Sequence, residues 1–311
     1  MRKALLLFAS ASLAIGLMAG DAVATPKKKA VAVKNDEARP KRVHKQKASA
    51  PAAASELHDP ALGSVSALVL DQSSGAVLLE KNPTLQVPIA SITKLMTAMV
   101  VLDAQPDLQE TLAIDADDVD MLKGTHSRLR VGTRLSRQDM LRLALMASEN
   151  RAAASLSRHY PGGRGAFVAA MNHKATDLGL TETRFEDPTG LTAANVSSAR
   201  DLTKMVAAAH GYPLIRQYST TPQYSVVVGG RPRMFVNTNS LVRNDHWEIG
   251  LSKTGYISEA GKCLVMQAWV ANKPMIIVLL DSWGRLTRVG DANRIKRWIE
   301  SASLAQRQVA G

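Results

Sequence analysis

Ser91 and Lys94 stand three residues apart at the start of an apolar segment, in the stretch PIASITKLMTAMVV. Residues at this spacing lie on one face of a helix, so the hydroxyl and the amine are expected to be neighbours. The apolar residues that follow predict a buried helix, in which a charged amine is costly unless it is paired or loses its proton. The chain must therefore place Lys94 on an exposed first turn, or enclose a serine together with an unprotonated amine.

Length and charge set the outer limits of the fold. The 311 residues are 46% hydrophobic and 21% charged, which is typical of a soluble protein with one large domain or two small ones. The net charge is +12, and much of the excess lies in residues 25–58, which are rich in Lys, Ala and Pro and lack periodicity. This segment is predicted to be a disordered basic linker. A solvated spacer is favoured over a tail that binds anionic polymers or lipid.

The N-terminal residues predict export. Arg2 and Lys3 precede an apolar run over residues 4–18, and Ala22-Val23-Ala24 supplies the small residues of a signal-peptidase site. We therefore expect a signal peptide over residues 1–24 that is cleaved after Ala24. The apolar run is short and interrupted by Ser and Gly, so a membrane anchor is disfavoured.

The hydrophobic pattern predicts strands at both ends of the globular part and helices between them. The first strand-like runs, SVSALVLD and GAVLLEKN, are separated by polar turn residues and form a predicted hairpin. Later strand-like runs are QYSVVVG, CLVMQAWV and PMIIVLLD, and helical periodicity marks SRQDMLRLALMAS, RAAASLSRHY, AFVAAMNHKATDLGL, SARDLTKMVAAAHG and DANRIKRWIE. This order predicts an α+β fold whose sheet pairs across the helical section.

Three short motifs carry candidate chemistry: Ser91-Ile92-Thr93-Lys94, Ser148-Glu149-Asn150 and Lys253-Thr254-Gly255. Taken singly, they are explained as a helix first turn, a helix C-terminal turn, and a turn before a strand. Together, their order and the elements that carry them resemble the S-x-x-K, S-x-N and K-T-G set of penicillin-recognising serine enzymes. Glu149 occupies the variable middle position and is expected to face solvent.

The residue chemistry fits a serine nucleophile. On the first turn of a helix, Ser91 would expose its hydroxyl and direct its backbone N–H towards a developing oxyanion. Lys94 would act as the base, with its pKa lowered by burial and by a second cation, Lys253. Ser148 would relay a proton between Lys94 and the leaving amine.

The same motifs offer substrate contacts. Asn150 would present its amide to the substrate backbone, and Lys253 and Thr254 would present a charge and a hydroxyl to a substrate carboxylate. Gly255 is expected to let the acyl chain lie close to the strand. The backbone N–H of Tyr256 is the expected second oxyanion donor.

A wider resemblance extends over residues 60 to 300. VPIASITKLMTA, DPTGL, NVSSARDL, NTNSLV and KTGYISEAGKCLVMQA are similar to the D-alanyl-D-alanine peptidase family of low-molecular-weight penicillin-binding proteins. The resemblance implies a penicillin-binding-protein/β-lactamase-like transpeptidase fold over residues 59–302, with an antiparallel sheet flanked by helices and an inserted helical subdomain. It also implies a Ser91 acyl-enzyme that water hydrolyses and that β-lactams trap.

The C-terminal part favours one branch of that family. LLDSWGRLTRVGDANRIKRWIE is most similar to the endopeptidase branch, which implies cleavage of D-alanyl–diaminopimelate cross-links in peptidoglycan. A D-alanyl-D-alanine carboxypeptidase that trims terminal D-Ala remains the alternative. Residues 303–311 are expected to form a short polar tail, without room for the β-domain and membrane-lying helix of related carboxypeptidases. A periplasmic enzyme without a membrane anchor is therefore predicted.

The expected partners are peptidoglycan stem peptides and cross-links, with β-lactams as covalent inhibitors and no nucleic acid. A β-lactamase is disfavoured because no E-x-x-x-N pattern follows Ser148. A non-catalytic peptidoglycan-binding protein would not need the serines and lysines of all three motifs. No cofactor or metal is expected, since the seven histidines lack H-x-H or HExxH spacing.

Overall fold

The computed structural model of this chain describes residues 60–310. The signal peptide expected over residues 1–24 and the linker expected over residues 25–58 lie outside the described residues, so both stay predictions. In chain order the strands are β1 (Ser64–Asp71), β2 (Val77–Lys81), β3 (Val87–Pro88), β4 (Thr111–Ala113), β5 (Arg134–Ser136), β6 (Val196–Ser197), β7 (Gln223–Val228), β8 (Arg231–Val236), β9 (Glu248–Ile257), β10 (Gly261–Val270) and β11 (Lys273–Ser282). The α-helices are α1 (Lys94–Asp103), α2 (Arg137–Met146), α3 (Asn150–Arg158), α4 (Gly163–Asp177), α5 (Ala199–His210), α6 (Pro213–Ser219) and α7 (Thr287–Ala310).

The main sheet joins the two ends of the globular part. Its five strands lie in the order β2-β1-β11-β10-β9, and every neighbouring pair is antiparallel. β1 pairs with β11 in a register that sets Ser64 opposite Ser282, so the predicted pairing across the helical section is confirmed. The predicted hairpin of β1 and β2 is also formed.

Helices cover both faces of this sheet. On one face α5 packs Leu202 and Val206 into the larger hydrophobic cluster, while on the other α7 packs Ile295 and Ile299 into a second cluster. This double cover explains why β11 is a continuous apolar run rather than an alternating one. The predicted α+β architecture, an antiparallel sheet flanked by helices, is therefore confirmed.

α1 lies at the centre of the helical part and contacts α2, α3 and α4. Its first eight residues, Lys94 to Val101, are all buried, as expected for a helix that is apolar on every side. Helix α2 begins at the predicted N-cap, because the Ser136 hydroxyl accepts a hydrogen bond from the Asp139 backbone N–H at 3.1 Å. Lys94 therefore enters the core on a helix with no exposed face over its first two turns.

Two elements differ from the sequence expectation. Lys253-Thr254-Gly255 lies inside β9 and not in a turn before a strand. The motif lacks the alternation of apolar residues that predicts a strand, because contacts with distant segments bury its polar residues. α7 extends to Ala310, through most of the residues expected to form a polar tail, because Ala, Leu, Gln and Arg favour helix and residues 303–310 contain no Gly or Pro. Within residues 60–310, no helix has the length and apolar composition needed to cross a membrane.

Candidate active site

Ser91 lies in a 3₁₀-helix, Ala90–Thr93, that leads into α1. The preceding residue, Ala90, has φ +47°, a left-handed conformation that costs a non-glycine residue about 1 kcal/mol. Two glycines approach this backbone from distant segments. A Cβ at Gly190 would lie 1.9 Å from the Ala90 carbonyl oxygen, and one at Gly255 would lie 3.1 Å from the Ser91 nitrogen. The position of Ser91 therefore depends on two close approaches that a side chain would prevent.

The Lys94 amine contacts Ser91 directly. Its Nζ lies 2.7 Å from Ser91 Oγ, 2.7 Å from Asn150 Oδ1 and 2.6 Å from the Thr189 carbonyl oxygen. The last two atoms can only accept hydrogen bonds, so they take two N–H groups of the amine. A neutral amine has two N–H groups and one lone pair, which leaves the lone pair facing the Ser91 hydroxyl. The geometry is therefore that of a base placed to accept the serine proton.

Burial makes the neutral form of Lys94 accessible. The side chain is 0% exposed, and burial lowers its pKa from 10.5 to about 7. The carboxylates of Asp187 and Glu149 oppose this shift by favouring the charged amine. The unprotonated form of Lys94 is therefore accessible near neutral pH.

A hydrogen-bonded chain orients Asn150. Its Nδ2 donates to Thr125 Oγ1 at 3.0 Å, and the Thr125 hydroxyl donates to Asp120 Oδ2 at 2.7 Å. Because the Thr125 proton is directed to the carboxylate, the Thr125 oxygen accepts from the amide N–H₂. The Asn150 oxygen is thereby directed to Lys94. The motif alone predicted a substrate contact for the Asn150 amide and gave no indication of this link to Lys94.

Asp187 holds the loop that supplies the Thr189 carbonyl. Its carboxylate accepts hydrogen bonds from the backbone N–H groups of Thr189 at 3.1 Å and Gly190 at 2.6 Å. Asn195 Nδ2 donates to the same carboxylate at 3.0 Å. The DPTGL and NVSSARDL segments thus cooperate in fixing one partner of the Lys94 amine.

Ser148 contacts the opposite side of the cleft. It joins α2 to α3 with φ +59°, another left-handed non-glycine residue, and its Oγ accepts a hydrogen bond from Lys253 Nζ at 2.9 Å. Lys253 is 1% exposed, and its pKa is lowered well below the ordinary lysine value by burial, by Lys94 and by Arg288. The contact that the structure gives Ser148 is thus with the lysine of β9, whereas the sequence analysis expected one with Lys94.

Strand β9 forms the edge of the sheet and one wall of the cleft. The Thr254 hydroxyl donates to Thr238 Oγ1 at 2.6 Å, and the Tyr256 side chain is 60% exposed. Gly255 makes room for the backbone of Ser91, a closer constraint than the acyl chain that the sequence analysis considered. Gly255 touches the Ser91 backbone. The hydrogen-bonded group of Ser91, Lys94 and Asn150 therefore meets the pair of Ser148 and Lys253 in one cleft.

The expectation that Glu149 faces solvent is wrong. Its side chain is 7% exposed and accepts a hydrogen bond from Ser127 Oγ at 2.6 Å. Position in a motif gave no information on this contact, because Ser127 belongs to the loop that precedes β5. Glu149 therefore connects the second motif to that loop.

Arg288 is a further residue that the sequence analysis missed. It is the second residue of α7, and its Nη1 lies 3.5 Å from the Gly255 carbonyl oxygen. Burial lowers the pKa of its guanidinium, and its charge contributes to the lowered pKa of Lys253. Its contact with β9 spans 33 residues of sequence, so no local pattern could have indicated it.

The comparisons with known proteins agree with this architecture. The sequence profile of the family described as D-alanyl-D-alanine carboxypeptidase matches residues 52–283. A Pseudomonas aeruginosa protein named D-alanyl-D-alanine endopeptidase is 52% identical over 246 residues, covering 78% of this chain and 79% of the relative. An Escherichia coli protein of the same name is 49% identical over 256 residues, covering 81% and 82%.

Solved structures show the same fold. A Streptomyces DD-transpeptidase superposes with a TM-score of 0.71 at 29% identity, over 77% of this chain and 97% of that one. The expected transpeptidase-type fold is therefore confirmed. The family profile and the two relatives each cover more than two thirds of this chain. The chain belongs to the D-alanyl-D-alanine carboxypeptidase family of serine peptidases.

Proposed function

We propose that this protein is a serine D,D-endopeptidase that hydrolyses D-alanyl–diaminopimelate cross-links in peptidoglycan through a Ser91 acyl-enzyme. The observation that carries the proposal is the placement of the Lys94 amine, 2.7 Å from Ser91 Oγ. The two N–H groups of the neutral amine are taken by Asn150 Oδ1 and the Thr189 carbonyl oxygen. The endopeptidase branch is supported by the names of the Pseudomonas and Escherichia relatives.

Acylation begins with attack of Ser91 Oγ on the carbonyl carbon of the D-alanyl residue. The hydroxyl proton passes to the lone pair of Lys94 Nζ as the new C–O bond forms. The backbone N–H groups of Ser91 and Tyr256 are the proposed donors to the oxyanion. When the C–N bond breaks, the leaving amine of diaminopimelate takes the proton from Lys94. Ser148 is the proposed relay for this proton, and it would have to exchange the hydrogen bond that it accepts from Lys253 for one with Lys94.

The wall formed by β9 is the proposed binding surface for the peptide. As an edge strand it can pair with an extended substrate backbone, and Asn150 contributes its amide from the facing wall. Lys253 and Thr254 are proposed to hold the carboxylate beside the scissile bond. An incoming carboxylate favours the charged form of Lys253 and so offsets the effect of burial on its pKa.

In deacylation, water attacks the acyl carbon and Lys94 again accepts a proton. The ester bond to Ser91 Oγ then breaks, and Lys94 returns the proton to Ser91, which restores the free enzyme. A β-lactam would acylate Ser91 through the same steps, but its leaving nitrogen stays tethered to the acyl group. The resulting acyl-Ser91 would hydrolyse slowly and block the cleft.

Digestion of purified sacculi tests the reaction. We expect cross-linked muropeptide dimers to disappear without release of free D-alanine. Release of D-alanine from monomeric pentapeptide would instead support the carboxypeptidase alternative. Ser91→Ala is the matched control: it should lose both turnover and covalent labelling by fluorescent penicillin, and retained labelling would mean that the nucleophile is misassigned.

We also propose that the protein acts in the periplasm after removal of residues 1–24. The basis is the sequence of the leader and the location of the proposed substrate. N-terminal sequencing of the exported protein should begin at Thr25, and an intact Met1 on that protein would overturn this assignment.

A further inference from the structure

A groove of about 1000 Å³ lies beside the cleft and is lined by five arginines. We call it the arginine groove; its arginines are Arg128, Arg130, Arg134, Arg231 and Arg233. One wall is the loop that leads into β5, and the other is the hairpin of β7 and β8. All five arginines are exposed, and none forms an ion pair with a residue in the described range 60–310.

Both walls of the arginine groove are fixed to the candidate active site. In the first wall, Ser127 donates to Glu149, the residue before Asn150. The second wall leads from β8 to Thr238, which accepts the hydrogen bond of Thr254. Each wall of the groove is therefore connected to a residue of the second or third motif.

Arg128 is held in place across the groove. Its Nη1 donates to the Met234 carbonyl oxygen at 2.6 Å, and its guanidinium carbon lies 3.9 Å from the centre of the Phe235 ring. These contacts join the two walls and fix one cation at the base of the hairpin. A preorganised guanidinium loses little side-chain entropy when it binds a ligand.

The charge of the arginine groove is uncompensated by its own lining. No Asp or Glu is among the residues that line it, and guanidinium groups stay charged at every physiological pH. Five such groups repel one another unless anions lie between them. The Lys- and Arg-rich segment 25–58 has the same sign of charge, so it is unsuited to fill the groove. The expected ligand carries several anionic groups.

We propose that the arginine groove binds free carboxylates of the cross-linked stem peptides that extend from the cleaved bond. This inference rests on the proposed function. Diaminopimelate has an amine and a carboxyl group at each end, so acylation of one amine leaves a carboxylate beside the cross-link, and Lys253 and Thr254 are proposed to take this one. A cross-linked substrate also carries the C-terminal carboxylate of its second stem, which a single stem lacks. Bidentate guanidinium–carboxylate pairing in the groove would thus favour cross-linked substrate over single stems.

The test compares Arg231→Gln/Arg233→Gln with Arg297→Gln, which removes an exposed arginine of α7 outside the groove. The substrates are a purified muropeptide dimer and the same dimer with the C-terminal carboxylate of its second stem amidated. For the free-acid dimer, we expect the double variant to raise KM about tenfold and to leave kcat within about twofold. For the amidated dimer, KM should already be high in the parent protein and change little. Arg297→Gln should match the parent.

Equal changes for both dimers, or an unchanged KM for the free-acid dimer, would overturn the proposal. So would an equal loss in the rate of acylation by fluorescent penicillin, because that would locate the defect in the cleft. Binding of anionic phospholipid vesicles that depends on Arg231 and Arg233, with dimer binding unaffected, would reassign the groove to phosphate groups.

A failure of the proposed endopeptidase function can be distinguished from a failure of the arginine-groove proposal. Calorimetric binding of the free-acid dimer to Ser91→Ala, with and without Arg231→Gln/Arg233→Gln, requires no turnover. Dimer binding that depends on the two arginines, in a protein that does not cleave sacculi, would retain the groove and reject the endopeptidase. Binding should also weaken steeply with added salt, since exposed charges are screened.

Discussion

The catalytic cleft and the arginine groove are neighbouring cationic regions built on opposite principles. In the cleft, Lys94 and Lys253 are buried, and burial lowers the pKa of both amines. In the groove, the guanidinium groups are exposed and keep their charge. Lys94 thus occurs where a proton has to be lost, and the arginines occur where a charge has to persist.

The two regions also differ in how fully their polar groups are satisfied. The Lys94 amine has three oxygen partners within 2.7 Å, two of which are fixed by Asp187 and by the Thr125–Asp120 pair. The groove has one anchored guanidinium, Arg128, while its remaining arginines face solvent. The cleft is therefore suited to a fixed reaction geometry, and the groove to ligands whose carboxylates differ in position.

The largest expected effect comes from exchanging one kind of cation for the other. Lys94→Arg should lower the rate of acylation by fluorescent penicillin about 10³-fold, because a guanidinium cannot accept the Ser91 proton. In contrast, Arg231→Lys/Arg233→Lys should weaken binding of the muropeptide dimer only a few-fold, since an exposed lysine keeps the charge but loses the bidentate pairing. Stopped-flow acylation and calorimetric binding measure the two effects. Near-normal acylation by a folded Lys94→Arg protein would show that no unprotonated amine is needed.

A smaller effect is expected from the close approach that fixes Ser91. A Cβ added by Gly255→Ala would lie 2.7 Å from the Ile89 carbonyl oxygen and should displace the Ser91 backbone, lowering acylation about 10²-fold. Gly165→Ala in α4 is the matched control, because its Cβ meets no atom within 4 Å and its φ is not left-handed. That control should leave acylation unchanged and stabilise the helix slightly. Equal rates for the two variants would remove the steric argument.

The smallest effect concerns the charges that surround Lys94. Since the base must be neutral and its pKa is about 7, the acylation rate should rise with pH through about 7 and then level off. The Glu149 carboxylate favours the charged amine, so Glu149→Gln should move the midpoint to lower pH. The rate at neutral pH should change by about twofold or less. A midpoint displaced to higher pH would contradict the assignment of Lys94 as the base.

Local sequence was sufficient for features that depend on neighbouring residues. The spacing of Ser91 and Lys94 indicated their contact, which the structure gives at 2.7 Å. The N-cap at Ser136 and the hairpin of β1 and β2 followed from capping and turn chemistry, which act over a few residues. The similarity of the three motifs to a known family also indicated the order of the sheet and helices.

Other features required the tertiary structure. The strand that carries Lys253 was hidden because polar residues there are buried by contacts with distant segments. Glu149, Thr189 and Arg288 act through hydrogen bonds to residues 22 to 95 positions away in the chain. The arginine groove likewise forms only when the loop before β5 meets the hairpin of β7 and β8. The sequence by itself determined which reactive groups are present and which are local neighbours; folding decided which acceptors surround Lys94 and where positive charge accumulates, because both depend on contacts between remote segments.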